Sequence, residues 1–576
     1  MATDDLLLTF LSCAFFMALV AFISYQKTKG EVNTKDGYFL AGRGLTGVFI
    51  AGSMLLTNLS AEQLIGLNGS AYGYNMSSMA WEVTAAVSTI AMALIFLPRY
   101  LSGAFTTLPE FLSNRFDDDV RRLTVILFMV GYGLVTIPSV LYSGSIAVMR
   151  LFDVPTLLDV SCSAGLMVTI LVVGIVGGLY AIFGGLKAVA ISDTINGFGL
   201  LIIGILVPVL GFIALGNGSF VSGVETVATT HTEKLNAIGA ASDPTPFGTL
   251  FTGMIFANLF YWCTNQYVIQ RTLGAKNLAE GQKGVIFSGF FKVLVPFMMM
   301  MPGIIAFHLY GGGLQSIDLA FPQLIKDVLP VYMSGFFLAV LLGAVFSSFN
   351  SLLNSAATLF CLDVYEPLKK GKVSDDEMIK VAKIASIVIA IFSFIVAPML
   401  QYAPEGLWQI IRIFTGFYNI PVVAVVIVGL FTRRVPGLGA KVAIIFHIIA
   451  YGLLKFVFDD VVDIHFLHLY AILFVIEVAI MLVIGYIKPL GQPWQFERKH
   501  AVDLVPWAYA LPVSITLFSC VAVLYVLFSP IGLVGGFNPL FWPVISAIIV
   551  LNIVGWFFSL KRWRDRYSNY VQHNMV

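Results

Sequence analysis

Fifteen runs of about 20 predominantly apolar residues follow one another along this chain, and that repetition restricts its fold more than any other feature. They fall at 5 to 25, 47 to 73, 77 to 102, 121 to 150, 160 to 183, 187 to 215, 247 to 270, 283 to 308, 333 to 365, 377 to 400, 406 to 432, 437 to 457, 465 to 488, 508 to 529 and 538 to 560. Each is long enough to carry a helix through the roughly 30 Å hydrocarbon core of a bilayer. Only 11% of the residues are charged and 58% are hydrophobic, whereas a soluble domain carries roughly 25% charged residues. A water-soluble fold of this composition has too little polar surface to cover itself. The expected fold is therefore an all-α integral membrane protein with about 15 transmembrane helices.

The basic residues test this count, because cytoplasmic loops are enriched in Lys and Arg. Assigned to alternate sides of the fifteen runs, 27 of the 33 collect on one side, from Lys27 through Arg99, Arg271 and Lys369 to the tail Lys561 to Arg566. The other side receives Arg150, Lys234 and Lys326. A wrong count would scramble this sorting, so the N-terminus is expected outside and the C-terminus in the cytoplasm. Lys455 lies near an outer helix end and can snorkel to water. Lys292 and Arg412 fall deep within runs, where a charge costs at least about 3 kcal/mol unless it finds a partner or a hydrated cavity.

The remaining global features are neutral. A net charge of +1 gives no reason to expect nucleic acid or a polyanionic partner. Five cysteines, Cys13, Cys162, Cys263, Cys361 and Cys520, sit in or beside apolar runs without the spacing of a zinc site or a disulfide framework. They read as small apolar side chains. The acidic start, Asp4 and Asp5, has the wrong polarity for a cleaved signal and implies a permanent anchor.

Two runs carry polar interruptions: Thr57 to Gln63 in the second, and Asn258 to Gln266 in the seventh. If runs 2 to 6 and 7 to 11 are two repeats, each interruption sits in the first helix of its half, and an odd number of crossings inverts one half relative to the other. Paired interrupted helices in inverted halves point to a midplane binding site in secondary transporters, since unwound backbone is tolerated only against protein or a cavity. Interhelical hydrogen bonding is the alternative reading of such polar residues. In the ninth run Ser347, Ser351, Asn354, Ser355 and Thr358 recur on one helical face.

The segments Gly37 to Gly44, Asn58 to Gln63, Gly184 to Asp193, Asn258 to Trp262 and Gln270 to Leu273 occur in order within residues 37 to 435. They resemble the sodium/solute symporter family, most of all its sodium/galactose and sodium/glucose cotransporters. The resemblance implies a LeuT-type core of two inverted five-helix repeats, in agreement with the interrupted runs. It also implies fourteen crossings, which makes the last run an addition that the charge sorting favours keeping. The resulting division is 1 to 46 as an N-terminal anchor and loop, 47 to 215 as the first repeat, 216 to 246 as an extracellular loop, 247 to 432 as the second repeat, and 433 to 576 as additional helices with a short cytoplasmic tail.

By resemblance, the sugar site falls on Gln63, Glu82, Asn258 and Lys292, with Tyr261 closing beneath the sugar. Carboxylate, carboxamide and ammonium groups supply what a hydroxyl-rich solute needs. Packing aromatics and a Glu82–Lys292 ion pair are the plainer readings of the same residues. The resemblance places sodium, the co-transported ion, on the carbonyls of Leu56, Leu59 and Ala344 and the hydroxyls of Ser347 and Ser348, and associates Asp193 with ion exit. Two positions depart from the family pattern: Ala85 replaces a serine and Arg412 replaces a glutamine. Arg412 shares a face with Gln409 and Gly416, so its guanidinium can pair with Glu82 or meet an anionic substrate such as a sugar acid.

The function expected is sodium-driven uptake of a small polar solute, most of all a sugar, across the plasma (cell inner) membrane, with no obligatory protein partner. A solute sensor or an ion channel that keeps the fold is the alternative, as is a symporter for an acidic sugar. A sensor would carry a signalling domain, and only 16 residues follow the last run. Broken helices and paired charges suit an occluding site better than a continuous pore. No nucleophile–base set, metal cluster or phosphate loop suggests an enzyme.

Overall fold

A computed structural model describes residues 3 to 28, 34 to 314, 317 to 370, 373 to 402, 407 to 458, 461 to 462, 464 to 499 and 501 to 574. Among these, twelve helices are long and apolar enough to cross a membrane, and the bent pair Gly47–Asn58 and Gln63–Gly73 makes a thirteenth. The fifth expected run is a shorter apolar helix, Cys162–Gly178. The seventh is divided between Gly253–Leu259 and Gln266–Leu273. Every expected run thus coincides with helix.

Local chemistry sets the ends of these helices. Asp117, Asn277 and Ser374 each accept a hydrogen bond from the third amide of the helix they precede, and acidic residues in the first turns oppose the positive end of the dipole. At the far end of the helix Leu407–Phe431, the buried Arg115 guanidinium donates to the carbonyls of Gly429, Thr432 and Val435. Burial lowers the Arg115 pKa to about 10, so this cap stays charged at neutral pH.

Helical geometry is continuous over Cys162–Leu215, yet a straight helix of that length would measure about 81 Å. Gly177 packs on Phe346 while Gly199 packs on Val340, partners only about 9 Å apart along their own helix. The segment is therefore two crossings that meet at a bend, as the fifth and sixth runs require.

The most enclosed helix is Tyr332–Leu368, whose apolar window is 94% buried, and the least enclosed is Phe541–His573, at 6%. The first is the axis of the bundle. The second presents Trp542, Ile549 and Leu551 outward and is tied inward by Asn552 and Trp556, which donate to Thr516. A two-way backbone bridge, Leu45 to Gly274 and Lys276 to Leu45, links the entry of one broken helix to the exit of the other.

One expectation is corrected here. Arg271, counted above among the cytoplasmic loop charges, is 1% exposed. It belongs to the C-terminal half of the second broken helix, where hydroxyls from neighbouring helices solvate its guanidinium.

Candidate functional site

The first broken helix ends at Asn58 and restarts at Ala61, with Leu59 (φ −77°, ψ 83°) and Ser60 (φ −88°, ψ 167°) non-helical between the halves. Its axis turns by 58°. Ser60 starts the second half, its carbonyl accepting from the Gln63 and Leu64 amides. The break releases helix-end carbonyls, and those of Leu56 and Thr57 accept from Ser348 Oγ at 3.5 and 3.2 Å. The second broken helix widens over Phe260–Thr264 and opens at Asn265 (φ −76°, ψ 116°). There Tyr132 Oη donates to Asn265 Oδ1 at 2.5 Å and accepts from the Tyr267 amide at 3.4 Å, replacing partners the broken turn has lost.

Between the two breaks lies a cavity of about 120 Å³ whose wall includes Asn58, Gln63, Glu82, Asn258, Tyr261 and Asn419. Glu82 is held from two directions: Gln63 Nε2 donates to Oε1 at 2.9 Å, and Lys292 Nζ donates to Oε2. Lys292 is fully buried behind Glu82, off the cavity wall, with its ammonium 5.5 Å from the Trp262 ring centre. Asn258 Nδ2 donates to Thr84 Oγ1 at 3.0 Å. Three residues of the wall, Asn58, Gln63 and Asn419, each carry a buried carboxamide oxygen with no hydrogen-bond partner within the protein. An unmet buried acceptor costs about 1–3 kcal/mol, so each is a place for a donor that the protein does not supply.

Behind the first break lie residues read as ion ligands, of which Ser348 and Leu56 meet directly. Leu56, Leu59 and Ala344 are completely buried. Ser348 faces both the cavity and the Leu56 carbonyl, and Ser347 Oγ lies beside Asp193 without a well-formed hydrogen bond. A relay runs from there: Arg271 Nε donates to Ser53 Oγ at 2.8 Å, and Ser53 donates to Asp193 Oδ2 at 2.7 Å. Arg271 also donates to Ser351, which lies 3.3 Å from Thr57 Oγ1. The hydroxyl stripe continues with Ser355 and Thr358, both bonded to the Gln270 carboxamide. Hard oxygens without added negative charge suit a small monovalent cation as cargo.

The structure thus brings Gln63, Glu82, Asn258 and Tyr261 together on one wall with Lys292 behind it, and of the residues read as ion ligands it joins Ser348 to the Leu56 carbonyl, while Ser347 lies by Asp193 and Leu59 and Ala344 are buried. Ala85 lines the same cavity. Arg412 lies in the helix Leu407–Phe431, and its side chain falls outside the described residues. Sequence reasoning held Asn265 only within the second polar interruption, without a role of its own, and missed Tyr418 and Asn419 on the wall. The run Thr415 to Asn419 before Pro421 carried a signal for the last two, since polar residues ahead of a proline inside a membrane helix mark an opened backbone.

The sodium:solute symporter family profile matches residues 38–446. An uncharacterized symporter of Escherichia coli (strain K12), YidK, is 44% identical over 563 residues, 97% of each chain. The sodium/glucose cotransporter of Vibrio parahaemolyticus is 31% identical over 464 residues, 77% of this chain and 83% of that one. Among solved structures, a Na+-coupled sialic acid symporter in a substrate-bound outward-open state is similar with a TM-score of 0.73 at 21% identity, over 85% of this chain and 99% of that chain.

Proposed function

The chain belongs to the sodium:solute symporter family, and from that membership we propose that it imports a sugar together with sodium by alternating access. It is a sodium-coupled symporter of LeuT-type fold and a multi-pass membrane protein, not an enzyme. The observation that carries the sugar reading is the set of three unpartnered carboxamide oxygens, of Asn58, Gln63 and Asn419, around one cavity. A polyol offers several hydroxyl donors at once. Gln63 and Asn258, one from each broken helix, hold the solute; Glu82 and Lys292 orient Gln63; Tyr261 covers the apolar face of the ring.

Sodium sits on the carbonyls of Leu56, Leu59 and Ala344 and the hydroxyls of Ser347 and Ser348. It stitches the first break to the axial helix and couples ion occupancy to the geometry of the solute wall. An ion entering neutral oxygens carries net charge, so transport is electrogenic. One charge crossing about 100 mV contributes roughly 2.3 kcal/mol, and a tenfold sodium gradient adds roughly 1.4 kcal/mol. Together they support several-hundred-fold accumulation of a neutral solute. The two repeats, 47 to 215 and 247 to 432, move about the breaks. The sorting of basic residues, which stands without Arg271, supports an N-terminus outside the plasma (inner) membrane and a C-terminus in the cytoplasm.

The test is uptake of neutral and acidic sugars into proteoliposomes with sodium, potassium or proton gradients. Sodium-dependent uptake of a neutral sugar supports the reading, and uptake indifferent to sodium overturns it. An acidic sugar is the second reading, favoured by Arg412 on the helix whose Thr415, Tyr418 and Asn419 line the cavity. On that reading Arg412→Gln shifts preference from acidic to neutral sugars at unchanged thermal stability. Lost stability instead indicates that Arg412 pairs with Glu82.

A further inference from the structure

Two titratable residues buried in the C-terminal helices play no part in either site described above. His447, in Gly437–Gly452, and Glu477, in Phe466–Ile487, are both 0% exposed and in direct contact through Nδ1 and Oε1. The other imidazole nitrogen, Nε2, lies 2.9 Å from the carbonyl oxygen of Gly416. A carbonyl only accepts, so Nε2 must carry the proton. One further proton is then shared between Nδ1 and Glu477, and the pair has zero net charge whichever atom holds it. That neutrality suits its depth in the bilayer.

Gly416 is where this contact matters. Pro421 lies inside the same helix; it has no N–H for the carbonyl of Phe417, the residue after Gly416, so the helix lacks one of its own hydrogen bonds beside this contact. Gly416 leaves room for close approach: a Cβ at this position would stand 2.6 Å from Tyr451 Oη and 2.8 Å from Tyr470 Oη. Tyr451 also stacks on the His447 ring at 5.6 Å. Gly416 is therefore flanked by two other helices, one of which holds its carbonyl through His447. The residues on either side of it, Thr415, Tyr418 and Asn419, line the cavity.

We propose that His447 is a positioning residue for the solute site: by donating from Nε2 to the Gly416 carbonyl it ties the helix Leu407–Phe431 to Gly437–Gly452 and so sets where Thr415, Tyr418 and Asn419 stand on the cavity wall. This rests on reading the cavity as the solute site. Its chemistry is that of a donor clamp, with Glu477 holding the imidazole in the required orientation.

The experiment has two arms, both on the full chain in proteoliposomes. In the first, sodium-driven D-galactose uptake is measured for His447→Phe, Glu477→Gln and the double variant His447→Phe/Glu477→Leu. The phenyl ring keeps the stacking but loses the donor, so half-saturation is expected to rise about tenfold, with a maximal rate within about twofold of the parent. Glu477→Gln keeps a group that can donate to Nδ1 and stays near the parent. The double variant removes the stranded carboxyl and recovers folded yield, but its half-saturation stays raised. In the second arm, Asn419→Cys is placed in a background lacking the five native cysteines, and its rate of modification by a membrane-impermeant maleimide is read with and without His447→Phe. A changed rate supports the clamp. Recovery of the parent's half-saturation in the double variant, or an unchanged modification rate, overturns it. If the parent moves no D-galactose, that result counts against the neutral-sugar reading, and the modification rate decides the clamp by itself.

Discussion

Two buried acid–base pairs flank the first break, and they are built differently. On the solute side Glu82 touches Lys292 directly and takes a second bond from Gln63, so both carboxylate oxygens are used. On the ion side Asp193 and Arg271 meet through the hydroxyl of Ser53, and Asp193 Oδ1 and Arg271 Nη1 have no hydrogen-bond partner. The first pair is saturated and acts as a fixed frame that aims Gln63 at the cavity. The second keeps free valences and can exchange partners without stranding a charge. On the proposed function, the first arrangement suits the wall that holds the solute and the second suits the region an ion passes.

The contrast is broken most severely at the saturated pair. Glu82→Ala leaves a buried ammonium without its partner and is expected to cost about 3–5 kcal/mol, read as a large fall in thermal stability of the purified protein. A small fall would mean that Lys292 has another way to be neutralised. Gln63→Ala spares the ion pair, so insertion and melting change little while sugar uptake is lost; normal uptake in this variant and in Asn258→Ala would exclude the midplane wall. Ser53→Ala removes only the shared hydroxyl and is expected to cost about 1–2 kcal/mol, clearly less than Glu82→Ala. Equal costs would show that the relayed pair is as rigid as the direct one. Ser348→Ala has the smallest effect on the fold. It is expected to weaken the apparent sodium affinity severalfold at unchanged stability, and unchanged sodium dependence would move the ion elsewhere.

How much of this was legible in the sequence follows from dimensionality. The crossings were readable because apolar length is a one-dimensional property, and the breaks because Thr57 to Gln63 and Asn258 to Gln266 interrupt it. The Glu82–Lys292 contact joins positions 210 residues apart and was readable only as one of two roles for Lys292. Arg271 was misplaced because its own segment looks like the start of a loop. The groups that solvate it, Ser53 and Ser351, belong to other helices. Asn419 and His447 escaped for a similar reason: each owes its role to a neighbour that backbone geometry supplies.

The stripe on the axial helix carries one more consequence. Ser348 bonds the carbonyls of the first break, Ser351 bonds Arg271, and Ser355 and Thr358 bond Gln270. All four stand on one edge of a single stiff rod, like teeth on a rack. Turning that rod by one residue would swing them all through about 100° together, so they disengage as a set and not singly. With sodium on Ser348, as proposed above, occupancy of the first tooth would bear on the engagement of the other three.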